Sequence, residues 1–291
     1  MGGTELLNLK YILIGTLPSD ESRVLLKNLR GTERQVCEWK GVGGRMANQG
    51  VEFLNALTAF PSDESLLLSA AADELEAAME RGMATIWYLP EGGEELGASG
   101  ADLYAEGLEE VDERLIVRVY ERHHGIPWTI LETERCIVRE FSMDYLDALF
   151  ELYAGEGMTD YIEPLYPYEE ERRYQEAYIE HMYRFYGYGM WIVCEKETGE
   201  LIGRVGIEHR EELGGELELG YAIGRPYQRK GYATEVCRAV MRYAREEIGV
   251  SHMHCLIGEG NTVSEHLAEK LGFSYAKDME ISGKCMKKYV I

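Results

Sequence analysis

The segment Gly224–Thr234 (GRPYQRKGYAT) combines cationic side chains with small residues. The cations are Arg225, Arg229 and Lys230, and Gly231 lacks the Cβ atom that would keep a ligand away from the backbone. The following residues carry an apolar stripe at helical spacing, so the segment leads into a helix N-terminus. A helix N-terminus presents free N–H groups and a partial positive charge. The sequence therefore predicts a site for an anion such as pyrophosphate.

The elements around this segment predict a mixed sheet. From Cys136 onward, hydrophobic periodicity gives the order β-α-α-β-β-β-α-β-α-β-β. The three consecutive strands form a meander that ends with Glu216–Gly224, and a long helix over Glu169–Tyr186 precedes it. Helices over about Gly231–Ile248 and Asn261–Leu271 then alternate with strands. This order does not suit a doubly wound sheet.

The first half of the chain alternates strands and helices, which is typical of an α/β layer with a mostly parallel sheet. The predicted strands are Tyr11–Ile14, Ser65–Ala70, Thr85–Leu89 and a short strand around Ala101–Tyr104. The run Ile126-Pro127-Trp128 has the character of a hinge, because proline disfavours helix at the residue before it. A chain of 291 residues is also long for one hydrophobic core. We predict an α/β protein with a Rossmann-like three-layer domain over 1–128 and a mixed-sheet α+β domain over 129–291.

The charge balance is strongly acidic, since 30 Lys and Arg against 52 Asp and Glu give a net charge of -22. Duplex DNA and anionic membranes repel such a surface, so neither is an expected partner. The acidic surface either keeps the protein dispersed or attracts a cationic acceptor such as an amine. No run approaches the roughly 18 apolar residues of a membrane span, and no signal peptide pattern is present. The six cysteines form no C-x-x-C pair, so we expect a cytoplasmic protein without a metal.

Three motifs in the second half resemble those of GNAT acetyltransferases. Gln228–Ala233 (QRKGYA) resembles the family signature Gln/Arg-x-x-Gly-x-Gly/Ala. Glu218–Gly224 resembles the strand that precedes that signature, and Asn261–Ser264 with Glu269–Phe273 resembles the closing motif. The resemblance covers about Thr129 to Ile291 and is nearest to the ribosomal-protein N-terminal acetyltransferases. It implies a mixed-sheet GNAT fold for this half.

The resemblance implies an acetyl-CoA-dependent N-acetyltransferase. The acetyl group would pass by direct attack to a primary amine of a small molecule or a protein N-terminus. Backbone N–H groups near Ala222 and Ile223 would polarise the thioester carbonyl. The residues expected to bind the cofactor are Ala222, Ile223, Gln228, Arg229, Lys230, Gly231, Tyr232, Ala233, Thr234, Asn261 and Ser264. For Asn261, a helix N-cap is an equally good interpretation.

A neutral amine is needed for the transfer, so a base must remove a proton. Glu218 and Glu216 alternate onto one face of their strand, and they are the first and second candidate bases. Both would alternatively be solvated strand residues. Many family members carry a tyrosine that protonates the departing thiolate, whereas this chain has Ala268 at the expected position. Water would then supply the proton, or the protein would be a non-catalytic acetyl-CoA-binding sensor or interaction protein.

Tyrosines are concentrated between the first and second strands of this half. In the family this region lines the acceptor pocket, and aromatic faces can hold a cation. Tyr161, Glu163 and Tyr166 are therefore the expected substrate-binding residues. Tyr174 and Tyr178 fit helix packing better. A homodimer is a further expectation.

The first half faintly resembles haloacid dehalogenase-like hydrolases. Ala78–Met83 fits the helix of that family, but Ser69-Ala70-Ala71 stands where its metal-binding carboxylates belong. Phosphoryl transfer needs those carboxylates to hold a magnesium ion. The resemblance therefore implies a degenerate, non-catalytic domain.

Overall fold

A computed structural model of the chain describes residues 8–39, 53, 55–90, 100–183, 186–210, 213–250 and 252–291. The chain divides into two compact units, Met1–Ile126 and Pro127–Ile291. No helix in these described ranges is long and apolar enough to cross a membrane.

The first unit contains a parallel sheet with the strand order β2-β1-β3-β4-β5. Its strands are β1 (Tyr11–Ile14), β2 (Gln35–Glu38), β3 (Ser65–Ser69), β4 (Ala84–Tyr88) and β5 (Leu103–Ala105). Its helices are α1 (Ser19–Asn28), α2 (Ala72–Glu80) and α3 (Glu113–His123). Helices α1 and α3 cover one face of the sheet and α2 covers the other, which confirms the predicted three layers. Strand β2 is not among the strands predicted from the sequence.

The strand order reverses between β1 and β3, the place where ligands bind in many doubly wound sheets. Here one carboxylate of the chain itself occupies the crevice between the two strand ends. Glu74 accepts hydrogen bonds from the Thr16 amide (2.8 Å), the Thr16 hydroxyl (2.7 Å) and the Ser69 hydroxyl (2.6 Å). A Cβ atom on Gly15 would lie only 2.3 Å from Glu74 Oε2, so the glycine makes room for the carboxylate.

The second unit contains an eight-stranded sheet with the order β12-β13-β11-β10-β9-β8-β7-β6. Its strands are β6 (Thr129–Glu132), β7 (Cys136–Arg139), β8 (Met190–Glu195), β9 (Leu201–Arg210), β10 (Glu216–Ile223), β11 (His254–Gly258), β12 (Ser274–Ile281) and β13 (Lys284–Val290). Strands β10 and β11 run parallel, and every other neighbouring pair described in this sheet is antiparallel. The predicted order from Cys136 onward is confirmed, and β6 is an additional edge strand that the sequence did not indicate.

The helices of this unit are α4 (Leu146–Tyr153), α5 (Tyr168–Tyr178), α6 (Tyr232–Glu246) and α7 (Thr262–Leu271). The buried face of α6 includes Val236, Val240 and Ala244, which belong to the core beneath the sheet. The predicted long helix over Glu169–Tyr186 is wrong at its C-terminal end. There, α5 stops at Tyr178 and a π-helical segment, Ile179–Tyr183, follows. That turn buries Tyr183, whose hydroxyl donates to the Met190 carbonyl at 2.6 Å.

Candidate active site

The chain leaves β10 at Ile223 and enters α6 through a loop in which Arg229 (φ 61°) and Gly231 (φ 88°) adopt left-handed conformations. The Gln228 side chain fixes the start of this loop, because Nε2 donates to the Ile223 carbonyl at 2.8 Å. Gly231 is the N-cap of α6, and no side chain caps the helix. The first N–H groups of α6 are therefore available to an anion.

A cleft of about 520 Å³ opens at this helix N-terminus. The residues that line it are Ile223, Arg225, Tyr227, Gln228, Arg229, Gly231, Tyr232, Ala233, Thr234, Val263, His266, Leu267 and Lys270. Most of the predicted cofactor residues are in this lining, whereas Ala222, Lys230, Asn261 and Ser264 are outside it. The cations Arg225, Arg229 and Lys270 form no ion pair with a carboxylate in the described part of the chain. In a protein of net charge -22, this is a local site of the opposite sign.

Arg135, at the β6–β7 turn, contacts this loop and the start of α6. Its Nη1 donates to the Lys230 carbonyl at 3.0 Å, and its Nε donates to Glu235 at 2.7 Å. The guanidinium carbon lies 4.2 Å from the centre of the Tyr232 ring. The hydrogen bond to Glu235 raises the pKa of Arg135, so the cation is firmly retained. Arg135 lies far from the loop in sequence, and no motif indicated it.

Strands β10 and β11 pair only at Glu218 and His254, and beyond that point they separate. Beyond Glu218, β10 is paired with β9 alone, and beyond His254, β11 is paired with β13 alone. Backbone groups on the facing sides of the two strands consequently have no ladder partner. The predicted residues Ala222 and Ile223 belong to this diverging part of β10.

Glu218 lies at the point where the strands separate and is 8% exposed. It accepts a hydrogen bond from Arg210 Nε, and a second from the backbone N–H of Leu256 across the opening. Burial raises the pKa of the Glu218 carboxyl, and these two hydrogen bonds only partly offset that effect. A carboxyl with a raised pKa is a stronger proton acceptor than a solvated one.

Glu216, the other predicted base, has different surroundings. It accepts a hydrogen bond from Lys288 Nζ, which lowers the pKa of the Glu216 carboxyl. A carboxylate with a lowered pKa is a weaker proton acceptor, so Glu218 is a better candidate base than Glu216.

His254 is 1% exposed, and neither of its ring nitrogens has a hydrogen-bond partner among the described residues. Its Nδ1 lies 3.6 Å from Glu216 Oε2. Burial, helped by the nearby Lys288 cation, lowers the pKa of His254 to about 4. The imidazole is therefore neutral near pH 7. The sequence did not indicate that His254 neighbours Glu218, because their pairing across β10 and β11 is a tertiary contact.

At the start of α7, Asn261 is the N-cap, since its Oδ1 accepts from the Ser264 amide at 3.2 Å. The N-cap interpretation of Asn261 is thus correct, while contact of Asn261 or Ser264 with a cofactor stays a prediction. The Tyr221 hydroxyl donates to the Ser264 carbonyl at 3.3 Å. Ala268 is fully buried and offers no hydroxyl where the family resemblance places a tyrosine.

The three predicted substrate residues lie on the loop that follows α4. The Tyr161 hydroxyl donates to the Gly260 carbonyl at 3.2 Å, just beyond the end of β11. Glu163 has a side chain 78% exposed and forms an ion pair with Lys284. The ring of Tyr166 lies 5.6 Å from that of Tyr174 on α5. Tyr161 is therefore near the β11 side of the opening, whereas Glu163 is a surface residue.

The chain resembles several known proteins in this unit. Residues 135–274 match the family model described as an acetyltransferase (GNAT) domain. The uncharacterized protein YkkB of Bacillus subtilis is 36% identical over 105 residues, which are 36% of this chain and 61% of YkkB. The match therefore spans less than two thirds of that relative. The uncharacterized N-acetyltransferase YoaA of Bacillus subtilis is 27% identical over 146 residues, 50% of this chain and 82% of YoaA.

Among solved structures, the apo form of RimL, a ribosomal L7/L12 alpha-N-protein acetyltransferase, has a TM-score of 0.50 at 16% identity. The alignment covers 57% of this chain and 94% of the RimL chain, and at that identity it establishes the fold. The family match and this fold similarity together identify residues 135–274 as a GNAT acetyltransferase domain. The GNAT family uses acetyl-CoA as its acetyl donor.

Proposed function

We propose that this protein is an N-acetyltransferase that transfers the acetyl group of acetyl-CoA to a primary amine of a small molecule or a protein N-terminus. One observation carries the proposal. The cationic cleft at the N-terminus of α6 is lined by Ile223, the last residue of β10. Glu218 lies on the same strand, at the point where β10 separates from β11. An anion site and a buried proton acceptor thus lie along the same diverging strand, β10.

The residues of the cleft fit acetyl-CoA. Its diphosphate requires free N–H donors, and the uncapped start of α6 offers them at Gly231 and the residues that follow. Arg225, Arg229 and Lys270 would neutralise the phosphate charges. Bound acetyl-CoA supplies the activated acetyl group for the transfer.

The chain's own residues would provide the remaining chemistry. Glu218 would accept the proton that the attacking amine loses, because burial has raised the pKa of its carboxyl. The backbone N–H groups near Ala222 and Ile223, on the diverging part of β10, would stabilise negative charge on the carbonyl oxygen. Ala268 cannot donate a proton, so water would protonate the departing thiolate.

The buried alanine at position 268 also supports a second candidate function, a non-catalytic acetyl-CoA sensor. Release of free CoA separates the two functions. An enzyme releases CoA from acetyl-CoA in proportion to an added amine, whereas a sensor binds acetyl-CoA and releases none.

Calorimetric titration of acetyl-CoA into the purified protein is the first test, with Gly231→Glu and Gly249→Glu as a matched pair of variants. Both glycines have positive φ (88° and 77°), and they lie at opposite ends of α6. Each variant adds one negative charge and the same backbone strain. We expect micromolar binding by the wild type and by Gly249→Glu, and its loss in Gly231→Glu. Absence of binding by the wild type would disprove the proposal.

A further inference from the structure

A second cleft, of about 390 Å³, lies between helix α5 and the C-terminal end of β9. Its lining includes Tyr174 and Tyr178 from α5, Met182 from the π-helical segment, and Glu208 and Arg210 from β9. A cleft of this size accommodates the body of a small molecule. Neither the family motifs nor the candidate cofactor residues include any of these side chains.

Glu208 is the side chain that gives this cleft its charge preference. It is half-buried, and its Oε1 accepts a hydrogen bond from the Tyr178 hydroxyl at 2.6 Å. It has no cationic partner within 4.0 Å in the described ranges. A partly buried carboxylate without a cation is unfavourable in the empty protein and favours binding of a positive charge.

The lining also contains His209 and Arg210, and neither forms an ion pair with Glu208 in the described part of the chain. The ring nitrogens of His209 hydrogen-bond with the Tyr188 hydroxyl and the Gly215 carbonyl. The Arg210 guanidinium is bonded to Glu218, so its charge is already balanced. The uncompensated charge of the described lining is therefore negative.

Aromatic rings form a wall of the same cleft. Tyr174 is 44% exposed, and its ring centre lies 5.9 Å from that of Tyr178. Ring faces attract cations and pack against aliphatic chains. The wall and Glu208 together suit an ammonium group that is carried on an apolar chain.

The cleft is adjacent to the candidate base. Glu208 and Glu218 are direct partners across β9 and β10, so their side chains are neighbours on one face of the sheet. Arg210, which lines the cleft, contacts Glu218. A molecule with one end at Glu208 can consequently place its other end near the base.

We propose that the acceptor is a small diamine, whose distal ammonium group binds Glu208 and the tyrosine wall while the other amine is acetylated beside Glu218. The inference rests on the proposed function and specifies its substrate class. It also moves substrate recognition away from Glu163, whose carboxylate is exposed and paired with Lys284.

Three acceptors of equal chain length test the proposal: 1,4-diaminobutane, butan-1-amine and 4-aminobutanoate. They differ only in the charge of the distal group, which is positive, absent or negative. Acetyl-CoA turnover is measured as kcat/KM for each in the wild type, Glu208→Gln and the control Glu176→Gln, since Glu176 is on α5 outside the cleft lining and is paired with Arg172. We expect the wild type and Glu176→Gln to prefer the diamine over butan-1-amine by about tenfold or more, and Glu208→Gln to lose that preference.

A diamine preference that persists in Glu208→Gln, or a wild-type preference for 4-aminobutanoate, would overturn the proposal. If butan-1-amine alone is acetylated well, the proposed activity stands and the diamine assignment fails. If no amine is acetylated, titration of 1,4-diaminobutane into the CoA-loaded protein decides the binding question separately. Binding that Glu208→Gln weakens by about tenfold supports the cleft assignment, and absence of binding refutes it.

Discussion

Two glutamates, one in each unit, are buried to nearly the same extent where strands end or separate. Glu74 is 7% exposed and Glu218 is 8% exposed. Glu74 lies in the crevice between β1 and β3, where one amide and two hydroxyl groups donate to it. Glu218 lies where β10 and β11 separate, and it is held by Arg210 and the amide of Leu256.

The difference teaches that burial alone does not identify a reactive carboxylate. The donors to Glu74 are on Thr16, in the loop that follows β1, and on Ser69, the last residue of β3, so this carboxylate joins two strand ends and fills the space a ligand would need. Glu218 faces an opening that the sheet leaves unpaired, and the pKa of its carboxyl is raised. We therefore expect Glu74 to matter for stability and Glu218 for chemistry.

Replacement of the reactive carboxylate should have the largest effect. Glu218→Gln keeps an oxygen acceptor for Arg210 but cannot take up a proton, so we expect kcat/KM to fall by about 10²–10⁴-fold. The melting temperature should change little. Steady-state kinetics and thermal unfolding measure the two quantities in the same preparation.

Glu216→Gln is the matched control, because Glu216 is on the same strand face and the pKa of its carboxyl is lowered instead. We expect its kcat/KM to stay within about tenfold of the wild type. The pH dependence adds a second check. The raised pKa of Glu218 means that the base form is lost, as pH falls, at values above the usual 4.5. An acidic limb of kcat/KM that survives unchanged in Glu218→Gln would assign the base to another group.

Removal of the carboxylate that fills the crevice of the first unit should lower the stability of the protein. Glu74→Ala removes the acceptor of three hydrogen bonds, of which the one from the Ser69 hydroxyl is buried, and we expect a loss of about 2 kcal/mol in the free energy of unfolding. Urea denaturation measures the loss, with Glu76→Ala on the same helix as control. The acetyl-CoA dissociation constant should be unchanged in the folded variant. A loss below about 1 kcal/mol would mean that Glu74 does not join the strand ends.

Periodicity and motif spacing predicted much of the fold, because local patterns determine it. The order of strands and helices from Cys136 onward is one case. The end of α7 at Leu271 is another, since Gly272 follows it with a left-handed φ of 99°. The edge strands β2 and β6 were missed, since each has only four residues and no clear alternation. The π-helical turn after α5 was missed because tertiary contacts of Tyr183 stabilise it.

The candidate site was predictable only where its residues are contiguous. The loop Gln228–Thr234 was found from its sequence, and it lines the cationic cleft apart from Lys230. The contacts of Glu218 with Arg210 and Leu256 depend on strand register, which a single sequence does not reveal. Glu208 was overlooked for the same reason, because its role follows from a helix that packs over β9.

The smallest expected effect is on acetyl-CoA binding and comes from replacing Arg135. The crevice of the first unit is filled by Glu74, whereas the cleft of the second unit is open and is bordered by a loop that Arg135 contacts. Arg135 donates to the Lys230 carbonyl and stacks on Tyr232, so it fixes the conformation of the loop. Arg135→Ala should weaken acetyl-CoA binding by about tenfold, because the loop would have to be ordered on binding.

Charge and geometry can be separated at this position. Arg135→Lys keeps the positive charge but loses the planar group that contacts Lys230, Glu235 and Tyr232 together. If loop support is the cause, Arg135→Lys weakens acetyl-CoA binding nearly as much as Arg135→Ala in calorimetric titration. If Arg135→Lys binds like the wild type, Arg135 acts through its long-range field, and the open cleft depends on charge rather than on the shape of the loop.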